Sequence, residues 1–144
     1  LIFDDGAHLW YIPRILDELK KLNVKASFFL VGMLAVKHHE IVRRIHEEGH
    51  TVCNHSYNHW NTKRLSYSRI LFEWRSCNEI IERITGSLPG FCRPPSGNYN
   101  DKVLKAADHL GLIPVFWNIN SEDYNEISAE KSSEGLRHLL NLGL

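Results

Sequence analysis

No apolar run in this 144-residue chain approaches the roughly 18 residues that a membrane-spanning helix needs, which excludes a span within these residues. Excess charge is missing too, because 17 Lys and Arg balance 17 Asp and Glu. A protein that lives by non-specific phosphate contact needs a basic surface, so neutrality argues against nucleic acid as partner and leaves a neutral sugar polymer open. Cysteine is scarce. Cys53, Cys77 and Cys92 are odd in number and share no CxxC spacing. That argues against a disulfide framework or a thiolate metal site and leaves small buried apolar residues. Repeats, low-complexity stretches and linkers are absent, and the length suits one domain with a continuous core. No secretory signal opens the chain. It starts at Leu1 inside a strand-like run and stops at Leu144 after a helical pattern, so it reads as a piece with both ends missing, and a signal or anchor could lie upstream.

What is present is an alternation of short apolar runs with longer amphipathic ones. Strand-like runs fall at Leu1–Phe3, Ala26–Val31, Thr51–Cys53, Phe91–Arg93 and Leu112–Ile119. Helical spacing fills Leu9–Leu22 (Ile12, Ile15, Leu16, Leu19, Leu22), with Pro13 in the first turn, and returns over Val36–Glu48, which Gly49 stops. It recurs over Ser66–Thr85 (Ile70, Leu71, Trp74, Ile80, Ile81, Ile84), closed by Gly86, then over Val103–Leu110 and Ser128–Leu142. Strands alternating with helices predict an α/β fold of parallel βαβ units, either a barrel or an open doubly wound sheet. In both, ligands gather at the carboxyl ends of the strands.

Four polar clusters fall at those ends. Asp4 and Asp5 leave the first strand side by side and repel each other unless a cation or proton intervenes. Gly6 permits the irregular backbone that could turn both into one site, although Asp-Gly is also a common turn. His55 and His59, four apart, would share one face of a helical turn and could present two imidazoles to one metal, with Asn54 and Asn58 as supporting partners. Nine histidines make a chance pair a real alternative. Arg93 precedes Pro94-Pro95-Ser96-Gly97, a stiff loop behind a guanidinium able to hold a carboxylate bidentately and to present backbone N–H groups. The run from Trp117 through Asp123 and Tyr124 mixes aromatic and polar groups as a sugar site does, and a solvated loop is the bland alternative.

In this order, the clusters resemble those of the polysaccharide deacetylases. These form the carbohydrate esterase family of chitin, chitooligosaccharide, peptidoglycan and acetylxylan deacetylases, built on the NodB homology domain. Leu1–Gly6 looks like Thr-Phe-Asp-Asp-Gly with Ile2 in place of Thr, and Ala26–Gly32 is similar to the family's second strand. His55–His59 matches His-(Ser/Thr)-x-x-His, Arg93–Gly97 resembles Arg-x-Pro-aromatic-Gly, and Asp123-Tyr124 falls where Asp-Trp is usual.

The resemblance implies a distorted (β/α) barrel, incomplete at both ends, in one domain spanning residues 1–144. It implies one divalent cation held by Asp5, His55 and His59; zinc suits these ligands, as do cobalt, nickel or manganese. It also implies Asp4 as general base, Arg93 as its orienting group, and the Ser96 N–H as an oxyanion donor within a substrate-binding loop, Pro95–Gly97. Asp123 would tune the general acid, and Trp117 and Tyr124 would wall the acetyl pocket. The implied activity is removal of N-acetyl groups from N-acetylglucosamine-containing polysaccharide in the cell envelope or outside it.

Three departures bear on this. Ser96 stands where an aromatic is usual and Tyr124 where Trp is. The family's Leu-x-His, which carries the general acid, is missing; His138 lies in a helical pattern, so the acid is expected beyond Leu144. Two alternatives therefore stand beside deacetylation: an inactive carbohydrate-binding domain on the same fold, and cleavage of another bond, as in acetylxylan.

Overall fold

The computed structural model describes residues 1–6 and 9–117. Among these residues five strands form one parallel sheet: β1 (Ile2–Phe3), β2 (Ser27–Leu30), β3 (Thr51–Asn54), β4 (Phe91–Cys92) and β5 (Ile113–Pro114). Five helices connect or flank them: α1 (Ile12–Lys21), α2 (Gly32–Lys37), α3 (His39–Glu47), α4 (Tyr67–Thr85) and α5 (Asp101–His109). The spatial order β1-β2-β3-β4-β5 follows the chain. A doubly wound sheet reverses its order at a switch point. Sequential right-handed crossovers instead place every helix on one face, which is the barrel arrangement.

Local sequence explains most boundaries. Pro13 occupies the first turn of α1, where its missing N–H costs nothing. Ser66 caps α4 by accepting from the Arg69 N–H, and Gly86 ends that helix in the left-handed region at φ 76°. Asn100 caps α5 by accepting from the Val103 N–H.

The sheet sorts its side chains by alternation. Phe28 and Leu30 pack against Leu16, Leu19, Val42 and Ile45 of α1 and α3. Phe29, between them, faces the other side and is 1% exposed. A second cluster joins Ile70 and Trp74 of α4 to Cys92, Val103, Ala106 and Ala107. All three cysteines are free and buried, and burial pushes each thiol up to about 12, consistent with a role as small apolar residues.

Three expectations need correction. The single helix expected over Val36–Glu48 is two helices, α2 and α3, broken at His38, whose φ −126° and ψ 43° are not helical. Moreover α2 begins at Gly32, earlier than the apolar periodicity indicated. The strand expected from Leu112 narrows to Ile113–Pro114, where Pro114 has no N–H to extend the ladder; residues 118 and 119 lie outside the described residues. The buried stripe of α4 runs through Ile70, Trp74, Cys77 and Ile81 but also through Glu73 and Asn78, while Leu71, Ile80 and Ile84 are only half-buried. The helix expected over Ser128–Leu142 lies outside the described residues. Among those described, no helix is long and apolar enough to cross a membrane.

Candidate metal centre

At the carboxyl end of β1 the chain turns sharply. Asp5 adopts φ 70° and Gly6 φ 122°, and the Gly6 N–H bonds the Asp4 carbonyl at 3.0 Å. The two adjacent carboxylates are thereby sent to different partners. Asp5 Oδ1 lies 3.3 Å from His55 Nε2 and 3.0 Å from His59 Nε2. The three ligand atoms fall within 4.8 Å of one another.

The histidines do not share a helical turn, contrary to the spacing argument. The segment after β3 is irregular, with Ser56 at φ 67° and His59 at φ 60°. Side chains replace the helical hydrogen bonds: the Ser56 N–H donates to Asn54 Oδ1 at 2.8 Å, and the His59 N–H to Ser56 Oγ at 3.0 Å. The loop sits on the start of α2, whose Gly32 and Met33 N–H groups donate to the Ser56 and Tyr57 carbonyls. Gly32 is required there, since a Cβ would stand 2.6 Å from Tyr57 Cδ2 and 3.2 Å from Tyr57 Cα.

Proton positions show why the cluster suits a cation. His55 is buried, and its Nδ1 lies 2.8 Å from the Arg93 carbonyl, which can only accept. Nδ1 therefore carries the proton, and the Nε2 lone pair of the neutral ring points at the Asp5 carboxylate. Two acceptors in contact are stable only with a positive species between them. Either a second proton makes the ring an imidazolium, or a cation accepts all three donors. Donors each about 2.1 Å from one ion stand roughly 3 to 3.5 Å apart, so the spacing fits. The facing groups of His55, and then of His59, hold the Asp5 carboxyl well below the usual carboxylate range. Asp5 in turn raises the His59 pKa above its ordinary value.

Beside this cluster Asp4 meets Arg93, which ends β4. The expected two-nitrogen fork is not formed. Nη1 alone reaches both Asp4 oxygens, at 2.9 Å each, while Nε donates to the Val115 carbonyl at 3.0 Å. The guanidinium, 3% exposed, stacks between Phe29 (4.4 Å) and Trp117 (5.2 Å), and its Nη2 has no hydrogen-bond partner among the described residues.

The loop that follows makes one tight turn over Pro95–Gly97, with Ser96 at φ 55°. Pro95 is buried and Ser96 exposed. Gly97 adopts φ 65° directly under Trp117, and a Cβ there would come within 2.8 Å of the indole. Tyr99 and Phe116 lie on the same rim, ring centroids 4.6 Å apart and both exposed.

Asp4, Asp5, His55, His59, Arg93, Pro95, Ser96, Gly97 and Trp117 thus gather at one end of the sheet. Asp123 and Tyr124 lie outside the described residues. Four of the five non-glycine residues with positive φ among those described, Asp5, Ser56, His59 and Ser96, belong to these loops. Strained backbone at roughly 1–3 kcal/mol each persists where the surroundings over-determine it, typically at functional sites. Sequence reasoning missed Glu73 and Asn78. Their signal was available: a carboxylate and an amide at helical spacing within the apolar stripe of α4.

The class of protein follows from sequence comparison as well as geometry. The chain belongs to the polysaccharide deacetylase family, whose sequence profile matches residues 1–115. It is 40% identical over 130 residues to a peptidoglycan-N-acetylglucosamine deacetylase of Bacillus cereus, covering 90% of this chain and 47% of that protein. A solved peptidoglycan N-acetylglucosamine deacetylase, bound to a substituted N-hydroxybenzamide, superposes with a TM-score of 0.90 at 37% identity, covering 93% of this chain and 63% of that one. A mutant of a CE4-family pseudoenzyme from Bacillus anthracis, with restored enzymatic activity, gives 0.91 at 33% identity, covering 95% and 50%. The chain spans about half the length of the curated relatives it matches.

Proposed function

We propose that the chain is the catalytic core of a metal-dependent hydrolase that removes the N-acetyl group from N-acetylglucosamine units of peptidoglycan, acting at the cell envelope. The observation that carries this reading is the separation of two adjacent carboxylates, Asp5 to the paired histidines and Asp4 to a buried arginine. Asp5, His55 and His59 would hold one divalent ion, with zinc the best match to two imidazoles and a carboxylate. Such an ion supplies Lewis acidity for the acetyl carbonyl and acidifies a water molecule.

Apart from protonating the leaving amine, a role none of the described residues is assigned, the chain's own residues supply the remaining functions. Asp4 takes the proton of the attacking water, and Arg93 Nη1 fixes its carboxylate so that proton transfer needs no reorientation. The Ser96 N–H, on a turn stiffened by Pro94 and Pro95, serves as a donor to the developing oxyanion. Trp117, seated on Gly97, forms an apolar wall against the acetyl methyl. Tyr99 and Phe116 extend an aromatic rim suited to pyranose faces.

The test is acetate release by the intact, zinc-loaded protein from peptidoglycan and from N-acetylglucosamine oligomers, beside Asp5→Ala. Acetate from the wild type and none from the variant supports the proposal. A bound ion without acetate release sinks it in favour of a carbohydrate-binding domain, to which the exposed Ser96 and the related pseudoenzyme lend weight. Acetate released from acetylxylan alone would move the reading to ester cleavage.

A further inference from the structure

Each ligand histidine directly follows an asparagine, Asn54 before His55 and Asn58 before His59, and both asparagine side chains are tied to α4. Asn54 Nδ2 donates to the Trp74 carbonyl at 2.8 Å and to Asn78 Oδ1 at 2.6 Å. Among the described residues, Asn58 is held by Glu73: its N–H reaches Oε2 at 2.7 Å and its Nδ2 reaches Oε1 at 2.8 Å. Glu73 is 0% exposed. Its remaining partner is Arg69 Nη2, 3.2 Å from Oε1, whose guanidinium lies over Trp60 at 4.6 Å and Phe72 at 4.7 Å.

A fully buried carboxylate is a poor device for stability alone, because desolvation offsets most of what its pairing contributes. What this one does is local. Both of its oxygens accept from the residue immediately before His59, in a loop outside helix and strand that holds His59 at φ 60°. We propose that Glu73 is the positioning residue for the metal-ligand loop: through Asn58 it sets the backbone from which His59 projects toward Asp5, while Asn78 through Asn54 does the same for His55. This rests on the metal reading above and adds to it a support on α4 lying outside the ligand set. Without the Glu73 clamp the loop relaxes from its left-handed turn, and the imidazole loses its alignment with Asp5 and His55.

The experiment measures zinc affinity of the intact protein by chelator competition, with far-UV circular dichroism and the thermal midpoint of the metal-free form alongside. Glu73→Gln keeps the volume but turns an amide NH2 toward an Asn58 donor. Asn58→Ala removes only the side-chain half of the clamp. Loss of outer-shell support to a metal ligand weakens binding about 10- to 100-fold. That loss is expected for Glu73→Gln, with a smaller loss in the same direction for Asn58→Ala and a double variant no worse than Glu73→Gln. Ile81→Val, on the same buried stripe of α4, should lower the midpoint without changing zinc affinity. Should Glu73→Gln not fold, Asn58→Ala alone decides. Zinc affinity within twofold of wild type in the folded variants overturns the role of Glu73, even if their midpoints fall. A wild type that holds no zinc overturns the metal reading itself.

Discussion

The Asp4–Arg93 contact yields a prediction that can be worked through in numbers. Nη1 donates to both carboxylate oxygens at 2.9 Å; the guanidinium side is 3% exposed, the carboxylate side 32%. A hydrogen bond to a charged group contributes about 1.5–3 kcal/mol, and water's access to Asp4 moves the expectation to the lower part of that range. The coupling between the two residues should therefore be about 2 kcal/mol. It is read from a double-mutant cycle of wild type, Arg93→Met, Asp4→Asn and the double variant, unfolded in urea. Met is chosen because its unbranched stem keeps the packing between Phe29 and Trp117. Independent sites add to within roughly 0.5 kcal/mol, so a coupling below that would refute the claim that Arg93 restrains Asp4. The same Arg93→Met variant, in the active intact protein, should lower kcat on the order of 10²-fold with KM nearly unchanged, since Asp4 acts on water and not on the sugar. A rise in KM at constant kcat would instead make Arg93 a substrate-binding group.

Three further outcomes follow from the same geometry. In metal-free protein the Asp5–His59 pair contributes to stability only within a pH window. The depressed Asp5 pKa makes its contribution present above the unfolded carboxylate value of about 3.9 and lost as pH falls through the folded value, while the raised His59 pKa makes its contribution present below about 6.5 and lost as pH rises through the folded value. Thermal midpoints in chelator should thus show a hump between those limits that Asp5→Asn removes, and identical profiles would refute the pairing. A ligand histidine must be neutral, so zinc affinity should fall as pH drops below the raised His59 pKa; a flat profile in chelator competition from pH 8 to 6 would exclude His59 as a ligand. Gly97→Ala combines φ 65° with a Cβ 2.8 Å from Trp117, so left-handed strain of about 1–2 kcal/mol and overpacking of about 1–3 kcal/mol should destabilise the protein by roughly 2–5 kcal/mol. Urea unfolding measures the loss, and a stability within 0.5 kcal/mol of wild type would mean that the indole does not rest on Gly97.

Much of this protein was legible in its residues alone. Apolar periodicity located the five described strands and the helices α1, α4 and α5, because a parallel sheet covered by helices needs short apolar runs and amphipathic segments in alternation. Asp4, Asp5, His55, His59 and Arg93 stood out because carboxylates, imidazoles and a guanidinium placed just beyond strands carry chemistry that a packed core does not need. Tertiary structure decided how they meet. Four-residue spacing predicted a helical turn for His55 and His59, yet side-chain hydrogen bonds from Asn54 and Ser56 and a close approach over Gly32 shape an irregular loop instead. Which nitrogen of His55 is free depends on the Arg93 carbonyl, 38 residues away in the chain. The barrel order over the doubly wound one, the break at His38, and the burial of Glu73 beneath Asn58 likewise rest on contacts between distant segments. Local pattern records what each segment can bury. Only the packed chain determines which donor faces which acceptor, because the free energy of a buried polar group depends on partners that sequence distance does not reveal.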